Sequence, residues 1–158
     1  MMIRPATLDD LPTLVEYNRR LAQETENITL SVELLTEGVR AALLDPSKGR
    51  YFVAEVDGQV VGQLMHTHEW SDWRNGDIWW LQSVYVHSDY RQQGVFRQLV
   101  EHLRAEAQAT PGVVGLRLYM EEHNDRAAAT YDRLGIRNAG YVVREQIWRN
   151  WETPNTGK

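Results

Sequence analysis

The sequence predicts a single α/β domain of the α+β kind, a mixed and mostly antiparallel sheet of six or seven strands with about four helices. Three observations predict it. From Leu81 to Gln98 a β-branched and aromatic run, with Val84, Tyr85 and Val86, gives way to the helical period of Phe96, Leu99, Val100, Leu103 and Ala107, with the polar turn Arg91 to Phe96 between them. Asp57-Gly58 between two apolar runs is a strong hairpin signal. Asn124 to Gly135 reads as a capped helix, with Asn124 as N-cap and Gly135 suited to the left-handed residue after the last turn.

Ile3 to Ala6 reads as the first strand, and Thr7 can cap a helix whose Leu11, Leu14, Val15, Asn18, Leu21 and Ala22 share a face. A polar break from Gln23 to Thr29 precedes a second helix from about Ser31, which Asp45-Pro46 stops. Tyr51 to Val56 and Val60 to Met65 are the hairpin strands. The polar and aromatic stretch His66 to Asp77, with a turn signal at Asn75-Gly76, separates them from a fourth strand, Ile78 to Val86. The long helix then runs to about Ala109, and Pro111-Gly112 ends it. Val113 to Met120 is a fifth strand, and Tyr141 to Trp148, with a short strand before it, completes the sheet after the Asn124 helix. Residues 1–151 form one domain, large enough to bury its apolar surface without metals or disulfides, and 152–158 read as a frayed tail.

Without cysteine there is no disulfide, thiolate metal site or cysteine nucleophile. The start, MMIRPATLDD, has no signal-peptide core, and no apolar stretch approaches the ~20 residues that span a bilayer, so a soluble cytoplasmic protein with no membrane partner is expected. Seventeen Lys and Arg against 22 Asp and Glu, a formal charge of -5, argue against nucleic acid as partner and leave open a cationic ligand or simply a well-solvated surface. His66 and His68 share a strand face, but with no third ligand at an obvious spacing no metal is expected. Trp70, Trp73, Trp79 and Trp80 can line a pocket or else cover an edge or a dimer contact.

The turn Arg91 to Phe96 would leave N–H groups free at the positive end of a helix dipole, with a glycine that lets a ligand approach the main chain: an anion site, phosphate first among the candidates. Gly94 can equally make a tight turn with Arg91 solvated. Arg91, Gln92, Gln93, Gly94 and Val95 resemble the pyrophosphate loop R/Q-x-x-G-x-G/A of the GCN5-related N-acetyltransferases, the GNAT family, with Phe96 where the family has a small residue. Asn124, Ala127 and Tyr131 resemble its N-x-x-A-x-x-x-Y pattern, in the right order and at a separation that holds one helix and one strand.

The resemblance implies the GNAT fold, with fourth and fifth strands splayed around the pantetheine of acetyl-CoA. It assigns the pantetheine to the edge Val84, Tyr85 and Val86, where the main-chain groups of Val84 and Val86 hold its amides. The pyrophosphate falls to N–H groups from Gln92 to Arg97, through Gln93, Gly94, Val95 and Phe96, with charge from Arg91; Asn124 and Tyr131 complete the cofactor-binding set. A fourth-strand N–H near Val84 would stabilise the carbonyl oxygen, and Tyr131 would protonate the thiolate. Many relatives carry a glutamate where this chain reads Leu81-Gln82-Ser83; Gln82 can orient a water but not keep a proton, so Glu69, Asp77, Glu121 or a water chain is left as base, and Tyr131, Gln82 and Glu69 are the catalytic candidates. Glu24, Glu26 and Glu33, on the helix pair that walls the family's acceptor pocket, are candidates for meeting an amine, or else solvated carboxylates. The implied activity is acetyl transfer from acetyl-CoA to an amine of a small molecule or peptide; an acyl-CoA sensor or interaction module without turnover is the alternative. A homodimer is expected because family members often dimerise.

Overall fold

The computed structural model describes residues 1–149. One mixed sheet runs in the order β1 (Met2–Pro5), β2 (Arg50–Val56), β3 (Gln59–Ser71), β4 (Gly76–Val86), β5 (Val113–Arg117), with β4 and β5 parallel and every other pair antiparallel. Helices α1 (Leu11–Glu26) and α2 (Val32–Leu44) pack on one face, and α3 (Val95–Ala109) with α4 (Asp125–Arg133) packs on the other. Each face has its own apolar cluster. Phe52, Leu64, Trp79 and Leu81 meet Val95, Leu99, Val100, Leu103 and Tyr131 on one side. Leu14, Val15 and Val39 meet Tyr51 and Val53 on the other.

Five strands replace the six or seven expected. Residues 137–149 contain no strand, and Tyr141, Val142, Val143, Ile147 and Trp148 are all exposed. Their β-branched pattern is a preference for a half-buried pleated surface, and a strand exists only where a partner main chain supplies that surface. The tail expected at 152–158 lies outside the described residues.

Two other boundaries moved for the same reason. The stretch His66 to Trp70, expected as a polar connection, is strand, because it pairs residue by residue with Asp77 to Leu81 in a long hairpin turned at Asn75. The fifth strand stops at Arg117 rather than Met120, because its pairing with β4 ends at Trp80↔Arg117. Helix α1 runs past the expected break at Gln23 and ends at Asn27, which adopts φ 52. Ser31 caps α2 by accepting from the Leu34 N–H, as its position before the helix predicts. Among the described residues no helix is long and apolar enough to cross a membrane.

Candidate active site

The site begins with one extra residue in β4. Met65 lies opposite Gln82 and Gln63 opposite Tyr85, so Ser83 and Val84 together face Leu64 alone. This is a β-bulge, which bends the strand and sharpens its twist. Ser83 takes φ 52, and its carbonyl accepts a hydrogen bond of 2.9 Å from Nε2 of Gln63, a side chain with no exposed surface. A lone glutamine in the apolar run VVGQLM was the sequence signal for it, since a buried amide needs a partner. The bulge also resets which residues face which layer. Trp79 and Leu81 meet the α3 cluster, and so do Val84 and Val86, three positions on rather than two, while Tyr85 turns to α1 and packs on Tyr17 at 4.9 Å between ring centroids.

Beyond the bulge, β4 has a free edge, because β5 has already left it. The His87 N–H donates to the Val61 carbonyl at 2.9 Å, so the alternation of an antiparallel ladder turns the main chain of Tyr85 towards β3 and those of Val84 and Val86 towards the open side. Two of the three strand residues expected to hold a cofactor therefore reach the cleft; Tyr85 does not, by main chain or by side chain.

The turn that follows is shaped by Gln92 at φ 63 and Gly94 at φ 81, after which α3 starts. Its first N–H groups, those of Val95, Phe96 and Arg97, have no acceptor within the helix, and no side chain caps them. A Cβ built on Gly94 would meet only Nε2 of Gln98, at 3.8 Å, so the space before these amides is open to a ligand. The neighbouring side chains are turned to other work. Gln93 Nε2 donates to the Asp89 carbonyl at 3.1 Å, and Arg97 Nε to Glu101 at 2.9 Å. Arg91 donates from Nε to the Val86 carbonyl at 2.9 Å and from its terminal nitrogen to Glu24 at 2.7 Å, with its guanidinium 5.3 Å from the Tyr85 ring centroid. Glu24 thus receives the charge expected at the phosphates, and what an anion would meet here is main-chain amides at the positive end of a helix.

Phe96 does not block this turn. Its ring packs on the core and meets Tyr131 edge to face at 5.4 Å between centroids. Asn124 accepts from the Ala127 N–H at 3.1 Å, and this cap starts the helix that carries Tyr131 two turns later on the face towards Phe96. Tyr131 is 9% exposed, and burial pushes its phenol up to about 12. Its hydroxyl makes no hydrogen bond among the described residues.

Gln82 lies on the opposite face of β4 and donates to the Thr67 hydroxyl at 2.6 Å. Glu69 is on the same face but opposite Ile78, four positions from Gln82 or about 13 Å along the strand, and it is ion-paired with Arg117. The structure therefore brings Tyr131, Val84, Val86 and Phe96 of the 92–97 turn into one cluster, and leaves Gln82 and Glu69 on the opposite face of the sheet. Among the described residues no group of three or more metal-ligating side chains is assembled.

A free strand edge, an uncapped helix start and an unbonded phenol suit a ligand with an extended amide arm, a diphosphate and a leaving group in need of a proton. The comparisons agree. The family model described as the acetyltransferase (GNAT) family matches residues 13–136. A structure described as a possible acetyltransferase from Clostridium difficile 630 is 44% identical, with TM-score 0.87 over 94% of this chain and 98% of that one. A ribosomal-protein-alanine N-acetyltransferase from Brucella melitensis biovar Abortus 2308 shares the fold at 18% identity, TM-score 0.72, over 93% and 98%. So does a predicted acetyltransferase from Clostridium acetobutylicum, solved with acetyl-CoA, at 16% identity and TM-score 0.76 over 92% and 95%. Among curated proteins none matches. With its fold, its open strand edge and its family match in agreement, the chain belongs to the GNAT acetyltransferase family.

Proposed function

We propose that the protein is an N-acetyltransferase that moves the acetyl group of acetyl-CoA directly to an amine of a small molecule or peptide, in the cytoplasm. The observation that carries this is the free edge of β4 between the bulge at Ser83 and the uncapped start of α3, with Tyr131 in the same cluster as Val84 and Val86. The thioester supplies the acetyl group. Val84 and Val86 offer main-chain partners to the amides of the pantetheine arm, and the N–H groups of residues 92–97 donate to the diphosphate oxygens. The N–H groups at the bulge suit a carbonyl oxygen that gains negative charge, because donors fixed beforehand need no reorganisation.

Tyr131 is the proton donor to the departing thiolate. Burial pushes the phenol up to about 12, so it carries its proton when the thiolate departs, and the same burial disfavours a free thiolate and so draws the proton to sulfur. Glu24 reaches the same face of β4, but it accepts from the Tyr85 hydroxyl at 3.3 Å and is ion-paired with Arg91, so the acceptor amine gives its proton to water ordered by Gln82 and Thr67.

Acetyl-CoA and CoA should each raise the melting temperature, and acetyl-CoA mixed with a panel of amines should release free thiol. A protein stabilised by CoA that acetylates nothing across amines, polyamines and peptides would instead be a sensor.

A further inference from the structure

Past Gln82 the sheet face opposite α3 carries Trp80, Arg117 and Glu69, with Tyr119 two residues beyond the end of β5. Arg117 is the last residue of β5, paired with Trp80 at the point where the two strands part, so it stands at the closed end of the cleft. Its guanidinium lies 6.0 Å from the Trp80 ring centroid and is ion-paired through one nitrogen with Glu69, and the Tyr119 ring flanks Trp80 at 5.9 Å. Guanidinium has five N–H donors in a planar fork. Glu69 takes one, and among the described residues no other acceptor meets the rest. Arg117 is 29% exposed along its side chain, so its cation is held in place yet reachable.

We propose that Arg117 binds a carboxylate of the acceptor. This rests on the acetyltransferase reading and adds the acceptor's chemical class to it. From the bulge to Trp80 is four positions, one of them absorbed by the bulge, which leaves about 10 Å along the strand. The acceptor therefore carries its reacting amine about 10 Å from an anionic end. Three residues of extended peptide span that distance, and so does an ω-amino acid of similar length; both present one chemistry to the protein. Glu69 is then a positioning residue that orients the fork, and Trp80 is the flat floor beneath it.

The test uses matched acceptors: a tripeptide with a free C-terminus against its C-terminal amide, and 8-aminooctanoate against octylamine. The free acids should show the higher kcat/KM, and whichever acid is preferred tells peptide from amino acid. Arg117→Gln should raise KM for the acid by roughly tenfold or more while leaving the amide unchanged, and Arg117→Lys, which keeps the charge without the fork, should fall between. Equal kcat/KM for acid and amide overturns the proposal. So does an Arg117→Gln that weakens both equally along with the melting temperature, since the pair would then be a cross-strand strut only. If neither acid is acetylated although CoA raises the melting temperature, the acceptor class is wrong and the cofactor site stands; if CoA has no effect, the acetyltransferase reading itself falls.

Discussion

Tyr131 holds its proton tightly because its ring is wrapped by Phe96 and the core while its hydroxyl has no partner among the described residues. A group so placed is needed when an anion appears beside it and not before. Tyr131→Phe should therefore lower kcat by roughly 100-fold and leave the melting-temperature rise caused by CoA intact. The cap that aims this residue was legible in the sequence, because capping is local: an Asn accepting from an N–H three residues on needs no distant partner. Gly94 was legible for the same reason. What Arg91 does was not, since its partner Glu24 is 67 positions away in the chain and nothing near either residue announces the other.

Helices kept their expected limits within a few residues, because their hydrogen bonds close within the segment. Strands did not, because their limits are set by neighbours. The hairpin of β3 and β4 outgrew its apolar run, and β5 ended where β4 ceased to face it. The junction of these three strands is tight at Gly76. A Cβ there would press on Val114 and lie 2.8 Å from the Gly112 carbonyl oxygen, which itself accepts from the Asp77 N–H at 2.8 Å. Gly76→Ala should cost roughly 2 kcal/mol, read as a melting temperature lower by about 5 °C, with KM for acetyl-CoA little changed because the cleft lies at the other end of β4.

For the whole molecule, stability should depend on pH through His66. The ring is fully buried, stacked on Trp79 at 4.0 Å between centroids, and among the described residues neither nitrogen has a hydrogen-bond partner. Burial first, then His68 and Arg50, hold its pKa down at about 4 against 6.5 for the unfolded chain. Between those values the unfolded state binds the proton and the folded state does not, so stability is full above pH 6.5 and drains away as pH falls towards 4, by about 3 kcal/mol in all. Urea unfolding at a series of pH values should show this slope, and His66→Leu should remove it. The order of elements was readable along the chain, whereas this burial was not: His66 and His68 looked alike in sequence, and only the stacking of Phe52 and Trp79 around the first separates them. At Ser83 itself the sequence was silent, with no glycine to mark the left-handed backbone it adopts, and the one signal lay across the sheet in Gln63. Excising it would keep Val84, Tyr85 and Val86 opposite their present neighbours on β3, so the chain would still fold. The strand would run straight, its companion could stay zipped to it, and the gap would never open. A shortened variant of this kind should melt higher and ignore CoA altogether, an inert sheet made from a catalyst by the loss of a single serine.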